Sequence, residues 1–272
     1  MQLQWSEVQI LSPRPILDDM NILISNDDGY FSEGIQNLRK ALVKKGHEVF
    51  MVAPDRDYSA CGMSISVRSP LTVRKLGHNQ YAVSGTPVDC IALALGGLIS
   101  QPIDLVVSGI NNGANLCDDV LYSGTVAAAM EARRLANPSI AISIPAAQPN
   151  YYSTASELAV ELIDKIEDFP DKHEIALLNV NVPDVNIHDL KGFKATVIGR
   201  RHKPISHRET VSEKGVRQCW LGGVGSFVEE EFDEVSLYDH QCIALGYASV
   251  SPIKAEWIHK PYVDSCQLWL NS

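Results

Sequence analysis

Along the first half of the chain, unbroken apolar runs alternate with stretches of helical periodicity. NILIS (residues 21–25) is a short buried strand, and SEGIQNLRKALVKKG follows it as a helix. Ser32 stands where a helix cap belongs and Gly46 where a helix ends, with Ile35, Leu38 and Leu42 on one face at three- and four-residue spacing. EVFMVA (48–53) is the next strand, closed by Pro54, and LTVRK and QYAVS form a hairpin around Gly77-His78-Asn79. Thr86-Pro87 opens a further helix with proline at the first position. DLVVSG (104–109), the helix GTVAAAMEARRL and the strand SIAISI complete this half. Strands that are apolar throughout, rather than at alternate positions, are those of a parallel sheet covered on both faces. The pattern predicts an α/β fold class.

From about residue 151 the pattern loosens. STASELAVELIDKIEDF is an amphipathic helix and IALLNVNVP another strand. A mixed segment follows, with a basic run RRHKPISHR (Arg200, Arg201, Lys203, Arg208, His202, His207) and an acidic run over residues 229–234. The acidic run reads as a solvated face, and the two histidines first as a solvated loop and otherwise as contacts to a ligand or a neighbouring subunit. Trp220, Trp257 and Trp269 read as core or interface residues. Three parts are expected: residues 1–19 as an extension ahead of Met20, 20–150 as the catalytic core, and 151–272 completing the sheet and making subunit contacts.

At 272 residues with 45% hydrophobic content, the chain can bury a sizeable core. Its net charge of -10 argues against long nucleic acid held on a broad basic face. Cys61, Cys90, Cys117, Cys219, Cys242 and Cys266 show no CxxC spacing, which fits reduced thiols and a cytoplasmic location. No apolar run approaches the ~18 residues of a membrane span, and the N-terminus lacks the basic start and apolar core of a signal peptide.

In an open parallel sheet, ligands bind beyond the carboxyl ends of the strands. Three polar loops are expected there: NDDG (26–29), PDRDYSACG (54–62) and SGINNGANLCDDVLYSGT (108–125). Asp27 and Asp28 are either ligands of a hard cation or acids placed near a helix N-terminus. Ser59, Asn111, Asn112 and Asn115 are turn residues or oxygen donors to the same ligand. Ser123, Gly124 and Thr125 begin a helix whose first turn is small and apolar, and make either an ordinary cap or an anion cradle. GxGxxG after the first strand, GxxxxGK[ST], GxSxG and HExxH are all absent.

Five blocks in order, ISNDDG with GI in the next helix, APDRDYS, GTPVDC, VVSGINNGANLCDDV and YSGTVAAAMEA, resemble those of the SurE nucleotidases, the stationary-phase survival proteins. The resemblance runs from about residue 21 to 144 and continues more weakly through IGRRH, CWLGG and GYASVSPI. It implies a Rossmann-like three-layer core and an irregular C-terminal part that exchanges segments in a homodimer or homotetramer. The implied activity is hydrolysis of nucleoside 5′- and 3′-monophosphates, with short polyphosphate as a further substrate, using one divalent ion (Mg²⁺ or Mn²⁺) per subunit. The implied metal ligands are Asp27, Asp28, Ser59 and Asn111, with the two aspartates also catalytic. Asn115, Ser123, Gly124 and Thr125 are the implied phosphate contacts. The chain departs from the family pattern at Ser32-Glu33, where Ala-Pro is common, and at Cys117, where glycine is usual. A sugar-nucleotide glycosyltransferase half-domain and a non-catalytic nucleotide sensor are the rival readings.

Overall fold

The computed structural model describes residues 19–170, 172–201, 207–221, 226–228, 237–255 and 262–271. Residues 1–18, His202, Lys203, the acidic run 229–234 and Trp257 lie outside the described residues.

The chain order is β1 (Asn21–Ser25), α1 (Glu33–Lys45), β2 (Glu48–Pro54), β3 (Val73–Gly77), β4 (Gln80–Val83), α2 (Pro87–Leu93) and β5 (Leu105–Asn112). It continues with α3 (Gly124–Glu131), β6 (Ser139–Ile144), α4 (Tyr152–Ile163), β7 (Leu177–Asn181), β8 (Phe193–Ala195), β9 (Arg208–Val211) and β10 (Arg217–Trp220). α5 (Asp239–Ala244), β11 (Ala248–Ile253) and α6 (Val263–Leu270) close it. Nine strands form one sheet in the order β3-β4-β2-β1-β5-β6-β7-β11-β8. From β4 through β7 every neighbouring pair is parallel. β3 and β11 pair antiparallel with β4 and β7, and β9 with β10 forms a separate hairpin. The α/β class read from the apolar runs holds.

Successive side chains of a strand point to opposite faces, and β1 shows what that does here. Ile22 and Ile24 join Ile35, Leu38 and Leu42 of α1 and Leu158 and Ile163 of α4 on one face. Leu23 joins Cys90 and Ile91 of α2 and Ala128 of α3 on the other. All three β1 residues are fully buried, each worth roughly 1.5–3 kcal/mol of apolar transfer. α1 lies so close to β5 that a β-carbon on Gly34 would fall 1.9 Å from the Ile110 carbonyl oxygen, which explains the glycine at the head of that helix.

The ends of α1 and α2 follow the local rules with one exception. Thr86 and Asp89 form a reciprocal capping box at α2, and Gly46 closes α1 in the left-handed conformation. Ser32 precedes α1 but makes no side-chain cap, because its hydroxyl accepts from the Asn26 side-chain amide at 2.7 Å.

Candidate functional site

The chain leaves β1 for β2 on one side and reaches β5 on the other, so β1 and β5 flank the point where strand order reverses. The loop after β1 and the end of β5 therefore open into one crevice. Asp27 is buried there and Asp28 half-buried. The third polar loop begins later than the sequence suggests. Asn111 and Asn112 belong to β5, whose register against β6 shifts between Ser108 and Asn111. That shift carries the strand past β1, and the Asn112 N–H donates to Asp28 Oδ2 at 3.1 Å. Asn111 turns its amide nitrogen to the Gly113 carbonyl at 3.2 Å, which directs the side-chain oxygen elsewhere.

Asp27 meets the start of α3. The Thr125 hydroxyl donates to Asp27 Oδ1. A β-carbon on Gly124 would lie 2.8 Å from Asp27 Cβ and 2.9 Å from both Asp27 Oδ2 and Cys61 Sγ, so only glycine lets the helix approach this closely. Ser123 caps α3, its Oγ accepting from the Val126 N–H at 3.0 Å. Asp27, Gly124 and Thr125 thus come together as the sequence anticipates, but the Thr125 hydroxyl proton is spent on Asp27.

The loop after β2 is tied to the backbone of the same residue, the Tyr58 N–H donating to the Asp27 main-chain carbonyl at 2.8 Å. Ser59 itself is exposed, and its hydroxyl and N–H both donate to Asp57 Oδ1, at 2.6 and 2.7 Å. Asn115 is a clasp below the crevice. Its amide nitrogen donates to Ser143 Oγ at 2.7 Å and its N–H to Asn181 Oδ1 at 3.0 Å. The Asn115 carbonyl accepts from Asn179 and Asn181 at 2.8 and 3.0 Å. One side-chain N–H of Asn115 is left for a ligand.

Four residues escaped the reading of the sequence. Asp57 sits two residues from Ser59 and adds negative charge at both site aspartates. Tyr152 donates to the Asn112 side chain behind Asp28. Asn179 and Asn181 share one face of β7, and the alternation in NVN was their only sequence signal. Two features of the second half are also defined. Arg201 is no solvated cation: it pairs with Asp119 and donates its N–H to Asp118 Oδ2 at 2.9 Å. Trp220 and Trp269, expected in the core or at an interface, are 64% and 72% exposed, which leaves the interface alternative for both.

Electrostatically the crevice is short of positive charge. Burial raises the Asp27 carboxyl above its ordinary range, and the Thr125 hydroxyl only partly opposes this. Burial pushes Asp28 up to about 7, with the charges of Asp27 and Asp57 adding to it against the Asn112 N–H. Among the described residues no salt bridge reaches either aspartate. Carboxylates, an asparagine oxygen and a serine hydroxyl are all hard donors of the kind Mg²⁺ or Mn²⁺ takes, and a dication would offset the charge of the two aspartates that the structure brings into the crevice. The donor set fits such an ion.

The family model for survival protein SurE matches residues 22–204. The chain is 41% identical over 252 residues to a protein named 5′-nucleotidase SurE from Ruthia magnifica subsp. Calyptogena magnifica, covering 93% of this chain and 99% of that one. It is 42% identical over 251 residues to the 5′-nucleotidase SurE of Actinobacillus succinogenes, covering 92% and 99%. The crystal structure of the SurE protein from Aquifex aeolicus superposes with a TM-score of 0.80 at 35% identity, over 93% of this chain and 100% of that one. A match of this extent places the chain in the SurE survival-protein family.

Proposed function

We propose that the chain is a divalent-metal-dependent phosphomonoesterase that releases phosphate from nucleoside 5′- and 3′-monophosphates, with short polyphosphate as a further substrate class. The observation that carries this reading is a pair of sheltered carboxylates with no salt-bridge partner among the described residues, at the strand-order reversal and against the start of a helix. Relatives named 5′-nucleotidase support the choice of substrate.

Asp27, Asp28, Asn111 and Ser59 would hold Mg²⁺ or Mn²⁺, Ser59 after its hydroxyl turns from Asp57. The ion supplies Lewis-acid polarisation of the phosphoryl group and offsets its charge. Ser123, Gly124 and Thr125 bring the partial positive charge of the α3 N-terminus to the phosphate oxygens, and Asn115 offers its remaining amide hydrogen. Asp28 Oδ2 is fixed by Asn112, leaving Oδ1 to accept a proton from the attacking water. The water oxygen bonds to phosphorus as its proton passes to Asp28, the phosphoester P–O bond breaks, and the nucleoside leaves as its hydroxyl with a proton from solvent, to which Asp28 returns its own.

Six free cysteines fit a reducing cytoplasmic setting, and no helix among the described residues is long and apolar enough to cross a membrane. The exposed Leu268, Trp269 and Leu270 of α6 and Trp220 of β10 favour a homodimer or homotetramer that covers them.

Phosphate release from a panel of 5′- and 3′-nucleotides, with Mg²⁺, Mn²⁺ or EDTA, tests the proposal. Metal-dependent release that EDTA suppresses is the expected result. Metal-dependent nucleotide binding without release would replace the enzyme with a nucleotide sensor.

A further inference from the structure

A second group of ligating side chains lies where the turn after β5 meets the start of α5, and it does not depend on the phosphatase reading. Cys117 begins a single 3₁₀ turn (Cys117–Leu121) in the left-handed region, at φ 55°. Cys117 and Asp239 are fully buried, and the His240 side chain is 9% exposed. Cys117 Sγ lies 3.6 Å from Asp239 Oδ1 and 3.4 Å from His240 Nδ1, and those two atoms are 3.5 Å apart. A tetrahedral Zn²⁺ with bonds of about 2.3 Å to sulfur and 2.0–2.2 Å to nitrogen and oxygen spaces its ligand atoms about 3.3–3.6 Å apart. The three donors already stand at the corners of one face of that tetrahedron.

We propose that Cys117, Asp239 and His240 form a site for a borderline-soft divalent cation of the Zn²⁺ class, with water in the fourth position. Thiolate, imidazole and carboxylate together select against Mg²⁺, which keeps to oxygen donors. The shell around the donors is built. Phe227 stacks on the His240 ring at 4.5 Å, and Arg201 covers Phe227 at 4.4 Å. Asp239 Oδ2 accepts the Cys117 N–H at 2.8 Å, and Oδ1 accepts the Gly199 and His240 N–H groups at 3.1 and 2.8 Å. Such bonds orient a ligating carboxylate. A β-carbon on Gly199 would lie 2.6 Å from His240 Nδ1 and 2.8 Å from Cys117 Sγ, so glycine keeps that wall clear of the donors.

Without a cation the thiol stays protonated: burial, then the charge of Asp239, raises it far above its usual range. A dication reverses that local field. On binding, the metal–sulfur bond replaces the S–H bond, the proton passes to solvent and no group changes oxidation state. The bound ion would fasten the turn that follows Asn115 to α5, so binding should raise the thermal midpoint of the folded chain.

Titration of the reduced, metal-stripped full chain with Co²⁺ tests the site, since a thiolate ligand gives a near-ultraviolet charge-transfer band and tetrahedral geometry gives visible bands. The expected result is one equivalent with both signatures, displaced by one equivalent of Zn²⁺. Cys117→Gly should abolish the thiolate band, and this variant folds readily because glycine suits a left-handed φ. His240→Asn should weaken Co²⁺ binding at least tenfold. Cys61→Ser and Cys219→Ser should keep the band, since they remove the thiol beside Asp27 and the one in the exposed His207, Glu209 and Cys219 group. Absence of a thiolate band, its survival in Cys117→Gly, or its loss in either serine variant would overturn the proposal. The crevice ligands Asp27, Asp28, Ser59 and Asn111 are oxygen donors, so a failure of phosphate release leaves this readout unaffected.

Discussion

Asp239 at the start of α5 and Asp27 in the crevice are buried to a similar depth, at 0% and 4% exposure, but the fold treats them in opposite ways. Asp239 receives three backbone N–H groups, from Cys117, Gly199 and His240. Donors of that kind stabilise the ionised form and offset much of the cost of burying it. Asp27 has Thr125 on one side and other acids nearby, Asp57 adding to the repulsion at both Asp27 and Asp28. The first carboxylate has three of its roughly four acceptor positions taken by backbone N–H groups and holds two segments together. The second has the Thr125 hydroxyl as its side-chain donor and is left more open.

Removing the charge at each place tests this contrast most directly. Asp27→Asn and Asp28→Asn are each expected to lower metal-dependent phosphate release by about 10³-fold or more, the scale of losing both charge stabilisation and a proton acceptor. In chelator, neither variant should lose more than about 1 kcal/mol of stability, because each removes a carboxylate that the fold holds at a cost. Asp239→Ala should behave differently, costing roughly 3 kcal/mol in urea unfolding because three sheltered N–H groups lose their acceptor. Equal stability losses at Asp27 and Asp239 would erase the distinction.

Much of this architecture was legible because apolar patterning is local. The runs NILIS, EVFMVA and SIAISI and the spacing of Ile35, Leu38 and Leu42 are readable without knowing what they touch. The aspartate pair stood out for the same reason: two adjacent acids after a buried strand are a local anomaly. Asn111 and Asn112 misled because a strand needs only backbone pairing, so polar side chains at its carboxyl end look like loop. Ser59 was readable as a donor, but not its hydrogen bond to Asp57. Asn115 with Asn179 and Asn181, and Cys117 with Asp239, are partners 64, 66 and 122 positions apart, and nothing local announces them. Those contacts exist only because β7 and α5 return to the crevice from the second half of the chain.

Metal removal sharpens the contrast through pH. Asp28 is pushed up to about 7 in the folded chain, by burial first and then by Asp27 and Asp57, against an ordinary 3.8. Below about pH 4 both the folded and unfolded chains hold the proton, and the folded preference for the neutral acid contributes fully. As pH rises through about 7 the folded chain must release it, and that contribution is lost. In chelator the urea midpoint should therefore fall between about pH 5 and pH 8, and Asp28→Asn should remove part of the slope. Saturating Mg²⁺ or Mn²⁺ should flatten it, since a bound cation favours the ionised carboxylate. An identical slope in wild type and Asp28→Asn would show that other groups set the pH dependence.

The smallest expected effect lies on the other side of the comparison, at Cys117. A left-handed φ costs an L-residue about 1–2 kcal/mol, and glycine would relieve it. Against that gain, Cys117→Gly removes a small buried side chain worth about 1 kcal/mol and adds unfolded-chain freedom worth about 0.5–1 kcal/mol. The terms nearly cancel, so in chelator the variant should match wild type within about 1 kcal/mol by urea unfolding. Such a result would mean that Asp239 holds the junction through the Cys117 N–H, which glycine retains, and that the thiol adds little to the metal-free fold. A loss well beyond 2 kcal/mol would instead give the Sγ contacts with Asp239 and His240 a structural share of their own. The junction would then depend on a side chain as the crevice does, and the contrast between its backbone-satisfied carboxylate and the open one of Asp27 would weaken.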